Sequence, residues 1–156
     1  MSFTTRIRLY LAGWRPRRDV WERLRLPASL AVFPEAKRIL SSFGGLRFGN
    51  RNEHVVFDPS DAVADDTELV QRCERAVGRR LYPIGYQEHQ DREPILVDEG
   101  GAVYMNFGDR LYVVAATFEK VLKTLARAGQ AKALEVPPLG SGLTETSWFV
   151  GDTVRP

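Results

Sequence analysis

Residues 94–107 read PILVDEGGAVYMNF. Two β-rich runs, PILVD and AVYMNF, stand either side of the three residues EGG. Branched and aromatic side chains suit a pleated, buried surface, and a short glycine-bearing loop suits an antiparallel reversal. The stretch therefore predicts a β-hairpin. After Gly108-Asp109 the run LYVVA adds a third strand in succession. The pair Asp98-Glu99 falls at the first reversal, where acids serve as turn residues more readily than as a catalytic pair. Successive strands joined by tight loops favour an antiparallel sheet. Strands that do not alternate with helices argue against a doubly wound parallel one.

Helical patterns flank this centre. Downstream, Thr117 precedes an amphipathic run with Phe118, Val121, Leu122 and Leu125 on one face, stopped by Gly129. From Gln130 onward, PPLGSG and weak periodicity suggest a tail, with a short strand near Ser147 to Val150. Upstream, LYPIG (81–85) reads as a short strand with an edge-type proline, Pro83. Before it, Leu69, Val70, Cys73 and Val77 form the inward face of a helix ended by Gly78. Asp65, Asp66 and Thr67 are its candidate caps, and Glu68 suits its first turn. Ser60 to Asp66 is expected to be polar loop, after a strand from His54 to Phe57 that Asp58-Pro59 ends.

Further upstream, Pro34 suits a first helical turn, and Ala36, Ile39, Leu40 and Phe43 make an apolar stripe. Gly44 is then expected in the left-handed conformation after the helix, and Gly45 as the point of chain reversal. Leu46 and Phe48 are expected to alternate outward and inward along a short strand. Two more helices are predicted, Thr5 to Leu11 with Gly13 as its stop and Asp19 to Leu26 ended by Pro27. The expected class is α+β, with a central, mostly antiparallel sheet flanked by helices.

The chain has 156 residues, 44% hydrophobic and 27% charged, the profile of a globular protein with a real core. No apolar run approaches the roughly 20 residues of a membrane span. The arginine-bearing N-terminus is too short and broken in its apolar part for a signal peptide. With a single cysteine, these features point to a cytoplasmic protein. Net charge is +2 but uneven: +6 over residues 1–40, −5 over 41–100 and +1 over 101–156. The basic N-terminal third lacks interleaved aromatic platforms, so a solvated or folded-back role outweighs nucleic-acid binding.

Catalytic motifs are weak. FGGLRFG (43–49) has helix, glycines and strand in the reverse order of a dinucleotide fingerprint, and GSGLTE (140–145) is followed by no clear helix. Neither has a P-loop lysine. Glu88, His89, Asp91 and Glu93 are carboxylate-rich but lack the spacing of a calcium loop, so no metal and no cofactor is expected. His54 reads as a satisfied strand residue. Cys73 reads as a small hydrophobe, and no G-x-S-x-G elbow occurs.

The ordered set AGWRPRR, FGGLRF, VVFDP, LYPIG and ILVDEGGAVYM, closed by an amphipathic helix, resembles the SUKH superfamily of bacterial immunity proteins, in its third immunity family. The resemblance spans about Ala12 to Leu125. It rests on Gly13, Trp14, Phe43, Gly44, Gly45, Leu46, Pro83, Ile84, Gly85, Asp98 and Gly100, whose glycines read as turn or cap residues that mark the fold. It implies one SUKH-like domain over 1–129 and a C-terminal extension over 130–156. It also implies binding and neutralising a cognate protein toxin, often a nuclease or nucleic-acid deaminase, without catalysis. Family immunity proteins against nucleases are often strongly acidic. Here only the middle is, so Asp58, Asp61, Asp65, Asp66, Glu68, Glu88, Asp91 and Glu93 are the candidate partner-binding groups. The alternative is a regulatory or scaffold module of the same superfamily. Neither reading expects nucleic-acid or membrane binding, and neither sets an oligomeric state.

Overall fold

Neighbouring strands are also neighbours in sequence throughout the sheet. The computed structural model describes residues 3–49, 54–64, 66–88, 92–127, 130–136 and 145–149. Its strands are β1 (Arg47–Gly49), β2 (His54–Val56), β3 (Leu81–Glu88), β4 (Arg92–Asp98), β5 (Val103–Phe107), β6 (Arg110–Ala115), β7 (Gln130–Val136) and β8 (Glu145–Phe149). They form one sheet in the order β1 to β8, each pair antiparallel. The helices are α1 (Phe3–Leu11), α2 (Pro34–Phe43), α3 (Pro59–Val63), α4 (Thr67–Val77) and α5 (Phe118–Arg127), with a 3-10 turn at Trp21–Arg23. The fold is α+β, as the hairpin reading requires.

Both faces of the central strands are covered. On one face, Leu9 of α1, Ile39, Leu40 and Phe43 of α2 and Phe118, Val121 and Leu122 of α5 pack with Ile84, Ile95, Val97, Val103, Met105 and Tyr112. On the other, Ala62 and Val63 of α3 and Val70 and Cys73 of α4 pack with Leu81, Tyr86, Leu96, Tyr104 and Leu111. Helices on both sides explain why the central strands read as nearly continuous apolar runs.

Several expectations change on contact with the structure. Residues 60–66 are not all loop, because the Asp58 carboxylate accepts from the Ser60 and Asp61 amides and caps α3. Five residues are too few to show helical periodicity, so only the cap and Pro59 signalled this helix. The stretch 19–26 keeps just its 3-10 turn; Leu24 is already extended, and the Val20 amide is drawn to Ser41 O of α2. LYPIG is no edge strand, since β3 pairs with both β2 and β4. Pro83 is tolerated because β2 pairs only with residues 86–88, so at Pro83 β4 is the single sheet neighbour, and a bulge follows before Gly85. Leu46 and Phe48 are both buried, two residues apart on one face. The 130–136 segment, expected as tail, is β7 and pairs with β6. The expected strand near 147–150 corresponds to β8, and the expected stop Gly129 lies outside the described residues.

The glycine expectations are partly exchanged. Gly44 has φ −50° and is not left-handed; Gly45, at φ +75°, is. A Cβ on Gly44 would lie 2.7 Å from Leu40 O and from Leu24 Cδ2, so close packing selects that glycine. Gly85 is neither turn nor cap. It sits within β3, where a Cβ would lie 2.1 Å from Val56 O. At the EGG reversal the positive φ belongs to Gly101 rather than Gly100.

Candidate partner-binding groove

The fold-marking residues converge on packing and capping. Trp14 stacks on Phe43, which in turn meets Phe57 and Phe118. Arg18 donates to Ser42 O at 3.1 Å and Gly44 O at 2.7 Å, placing a cation at the negative end of α2. Arg15 donates to Tyr10 O and Trp14 O and lies over the Tyr10 ring. Two arginines of the basic N-terminal third are thus turned back onto the protein's own carbonyls.

Asp98 is fully buried. Its Oδ1 accepts from the Gly100 and Ala102 amides, and its Oδ2 accepts from Tyr104 Oη and Arg79 Nη1. Four donors explain how a carboxylate survives inside the hairpin. The same bond, more than any other influence, raises the Arg79 pKa.

The candidate acids divide into distinct settings. Asp61, Asp66 and Glu68 are exposed, although Asp66 also caps α4 by accepting from the Leu69 amide. Asp58 is half-buried and committed to α3. Glu88 accepts from His54 Nε2 at 2.9 Å and lies 3.9 Å from Arg92 Nε. Arg47 Nη2 approaches His54 Nδ1 at 2.9 Å; a guanidinium only donates, so Nδ1 accepts and Nε2 carries the hydrogen toward Glu88. Glu93 was expected on the surface but is only 3% exposed, at the start of a strand that is buried from Glu93 through Asp98. Asp65 and Asp91, with His89, lie outside the described residues.

Asp61 and Asp66 flank an open groove of about 730 Å³. Its walls are the α3–α4 junction, the first residues of β4 and the β5–β6 turn. Four acids, Asp61, Asp66, Glu93 and Asp109, face two arginines, Arg92 and Arg110. Arg92 lies over the Tyr86 ring at 4.9 Å and reaches Asp61 Oδ2 at 3.5 Å. A neighbouring depression of about 410 Å³ shares Leu69, Asn106, Gly108 and Asp109 and reaches Cys73. Burial pushes the Cys73 thiol up to about 11, the setting of an inert cysteine. Asp109 and Tyr112 of this groove escaped the sequence reading; the only signal was the Gly108-Asp109 turn, which reads as punctuation.

Among the described residues, no group of three or more His, Cys, Asp or Glu side chains is placed to hold a metal ion, and no helix is long and apolar enough to cross a membrane. A meander sheet with helices packed on both faces of its central strands, and an open groove at one end, defines an α+β domain. The chain belongs to the SUKH-3 immunity protein family, whose model matches residues 1–128. Neither the curated proteins nor the solved structures contain a match to it.

Proposed function

We propose that this chain protects the cell that makes it by binding a protein toxin in the cytoplasm and covering the toxin's active cleft, with no chemistry of its own. The observation that carries this reading is the immunity-family match over residues 1–128. The acid-rimmed groove gives it a mechanism. Nucleases and nucleic-acid deaminases hold a polyanion in a basic cleft, and carboxylates gathered from the α3–α4 junction, β4 and the β5–β6 turn complement such a cleft and speed encounter. Affinity then comes from desolvated anchors in the contact, with the charges supplying orientation.

The test is co-expression of the tagged protein with the toxin domain encoded beside it. A stable one-to-one complex and relief of growth arrest are expected. No complex and no rescue would overturn the immunity reading and favour a regulatory or scaffold module, whose partner a pull-down from native cytoplasm would then identify.

A further inference from the structure

The β4–β5 ladder ends at Ile95–Met105. The β3–β4 ladder runs on to Glu88–Arg92, and the β5–β6 ladder to Phe107–Arg110. The two hairpins therefore separate beyond Ile95 and Met105, leaving a notch in the sheet, and the acid-rimmed groove lies there. Tyr112 lines it and is 1% exposed, yet its hydroxyl has no hydrogen-bond partner. A buried phenol normally finds one, because the unmade bond is destabilising. Glu93, a buried carboxylate, lines the same notch, and Asp61, Asp66 and Asp109 stand exposed at its rim. Phe107 packs edge-on against the Tyr112 ring, fixing the phenol in place.

We infer that this notch is the seat for an arginine or lysine side chain of the protein partner, with Tyr112 Oη accepting one of its N–H groups and the surrounding carboxylates balancing its charge. The inference rests on the immunity reading for the partner being a toxin. A cation fits better than an anion because acids outnumber arginines around the notch, and Arg92 is held to one wall by Tyr86 and Asp61. A hydroxyl that accepts while a carboxylate supplies charge is the pairing that a guanidinium or ammonium requires.

Two probes test it. The first is an acetylated, amidated Gly-Arg-Gly peptide, titrated into the full chain while backbone amide NMR shifts are followed. Saturable shifts over residues 106–112 are expected, and none from the uncharged citrulline counterpart. Tyr112→Phe weakens this binding about fivefold, the contribution of one hydrogen bond, while leaving the melting temperature unchanged or higher. Equal response to the citrulline peptide, or no effect of Tyr112→Phe, overturns the inference. The second probe is the co-expressed toxin domain. Asp61→Lys with Asp109→Lys slows its association about tenfold or more at low salt, whereas Glu68→Lys does not. A toxin complex indifferent to the groove reversal overturns the notch and leaves immunity standing. Peptide binding at the notch with no toxin complex overturns immunity and leaves the notch.

Discussion

Trp14 lies flat against Phe43, with ring centroids 6.3 Å apart and planes 10° apart. The contact joins the AGW segment to the end of the helix that runs into the double glycine, two motifs almost thirty residues apart in sequence. It is continued by Arg18 on the carbonyls of Ser42 and Gly44. One end of α2 is thus held by a ring and a guanidinium from the same short segment.

Trp14→Ala is therefore expected to destabilise the protein by about 2–4 kcal/mol, the range for losing a large aromatic that is not wholly buried. Arg18→Ala removes two bonds to helix-end carbonyls and is expected to be milder, about 1–2 kcal/mol. Urea unfolding of both variants checks the order. A larger loss from Arg18→Ala would mean that the arginine, and not the ring, anchors the segment.

Asp98 supports the second prediction. Asp98→Ala leaves two amides, a phenol and a guanidinium without their acceptor and is expected to cost about 3–5 kcal/mol. Asp98→Asn keeps an oxygen for the Gly100 and Ala102 amides but sets an N–H₂ against Arg79, so a smaller loss of about 1–2 kcal/mol is expected. Amide exchange at residues 100–102 separates the two: protection falls in the alanine variant and largely persists in the asparagine one.

The hairpin, the helix stripes of α2, α4 and α5 and the inward Cys73 were legible because each rests on a local period. The missed features rest on tertiary contact. Pro83 read as an edge residue because its pairing depends on how far β2 extends, and Glu93 read as surface because it belongs to the charged run EHQDRE. Asp98 is the instructive case: DEG announces a turn, but only the fold shows that the aspartate is its buried acceptor. The groove was half visible. Asp61 and Asp66 stood out as acids, whereas Tyr112 looked like any strand tyrosine and Asp109 like any turn residue. What brings them to one groove is the parting of two hairpins, which no spacing in the sequence records.

Gly85 and Gly45 distinguish two reasons for a glycine. Gly45→Ala forces an alanine to φ +75° and is expected to cost about 1–2 kcal/mol. Gly85→Ala has ordinary backbone angles available but drives its Cβ to 2.1 Å from Val56 O, and the sheet must open to admit it. It is expected to be the more damaging, beyond about 3 kcal/mol, with loss of protection in β2 and β3. Near-equal stability of the two variants would place the strain in backbone conformation alone.

Tyr82 tests what a buried hydroxyl without a partner does in the core. It is fully buried, packs edge-on against Phe33, and its Oη makes no hydrogen bond. Burial pushes its pKa from 10.0 up to about 12. A group whose pKa is raised by folding contributes stability that is fully present below its unfolded value and is lost as pH rises through the folded one. Stability should therefore decline from about pH 10 to about pH 12. Tyr104, also raised to about 12 by burial and then by the Asp98 charge, adds to the same decline. Tyr82→Phe removes an unsatisfied polar atom and one of these titrations. It is expected to match or exceed the wild type at neutral pH and to show a shallower alkaline decline. Tyr104→Phe, which breaks the bond to Asp98 Oδ2, should also decline less steeply but start about 1 kcal/mol lower. Denaturant melts across the alkaline range decide it, since only an unpartnered hydroxyl can be deleted at Tyr82 without loss at neutral pH.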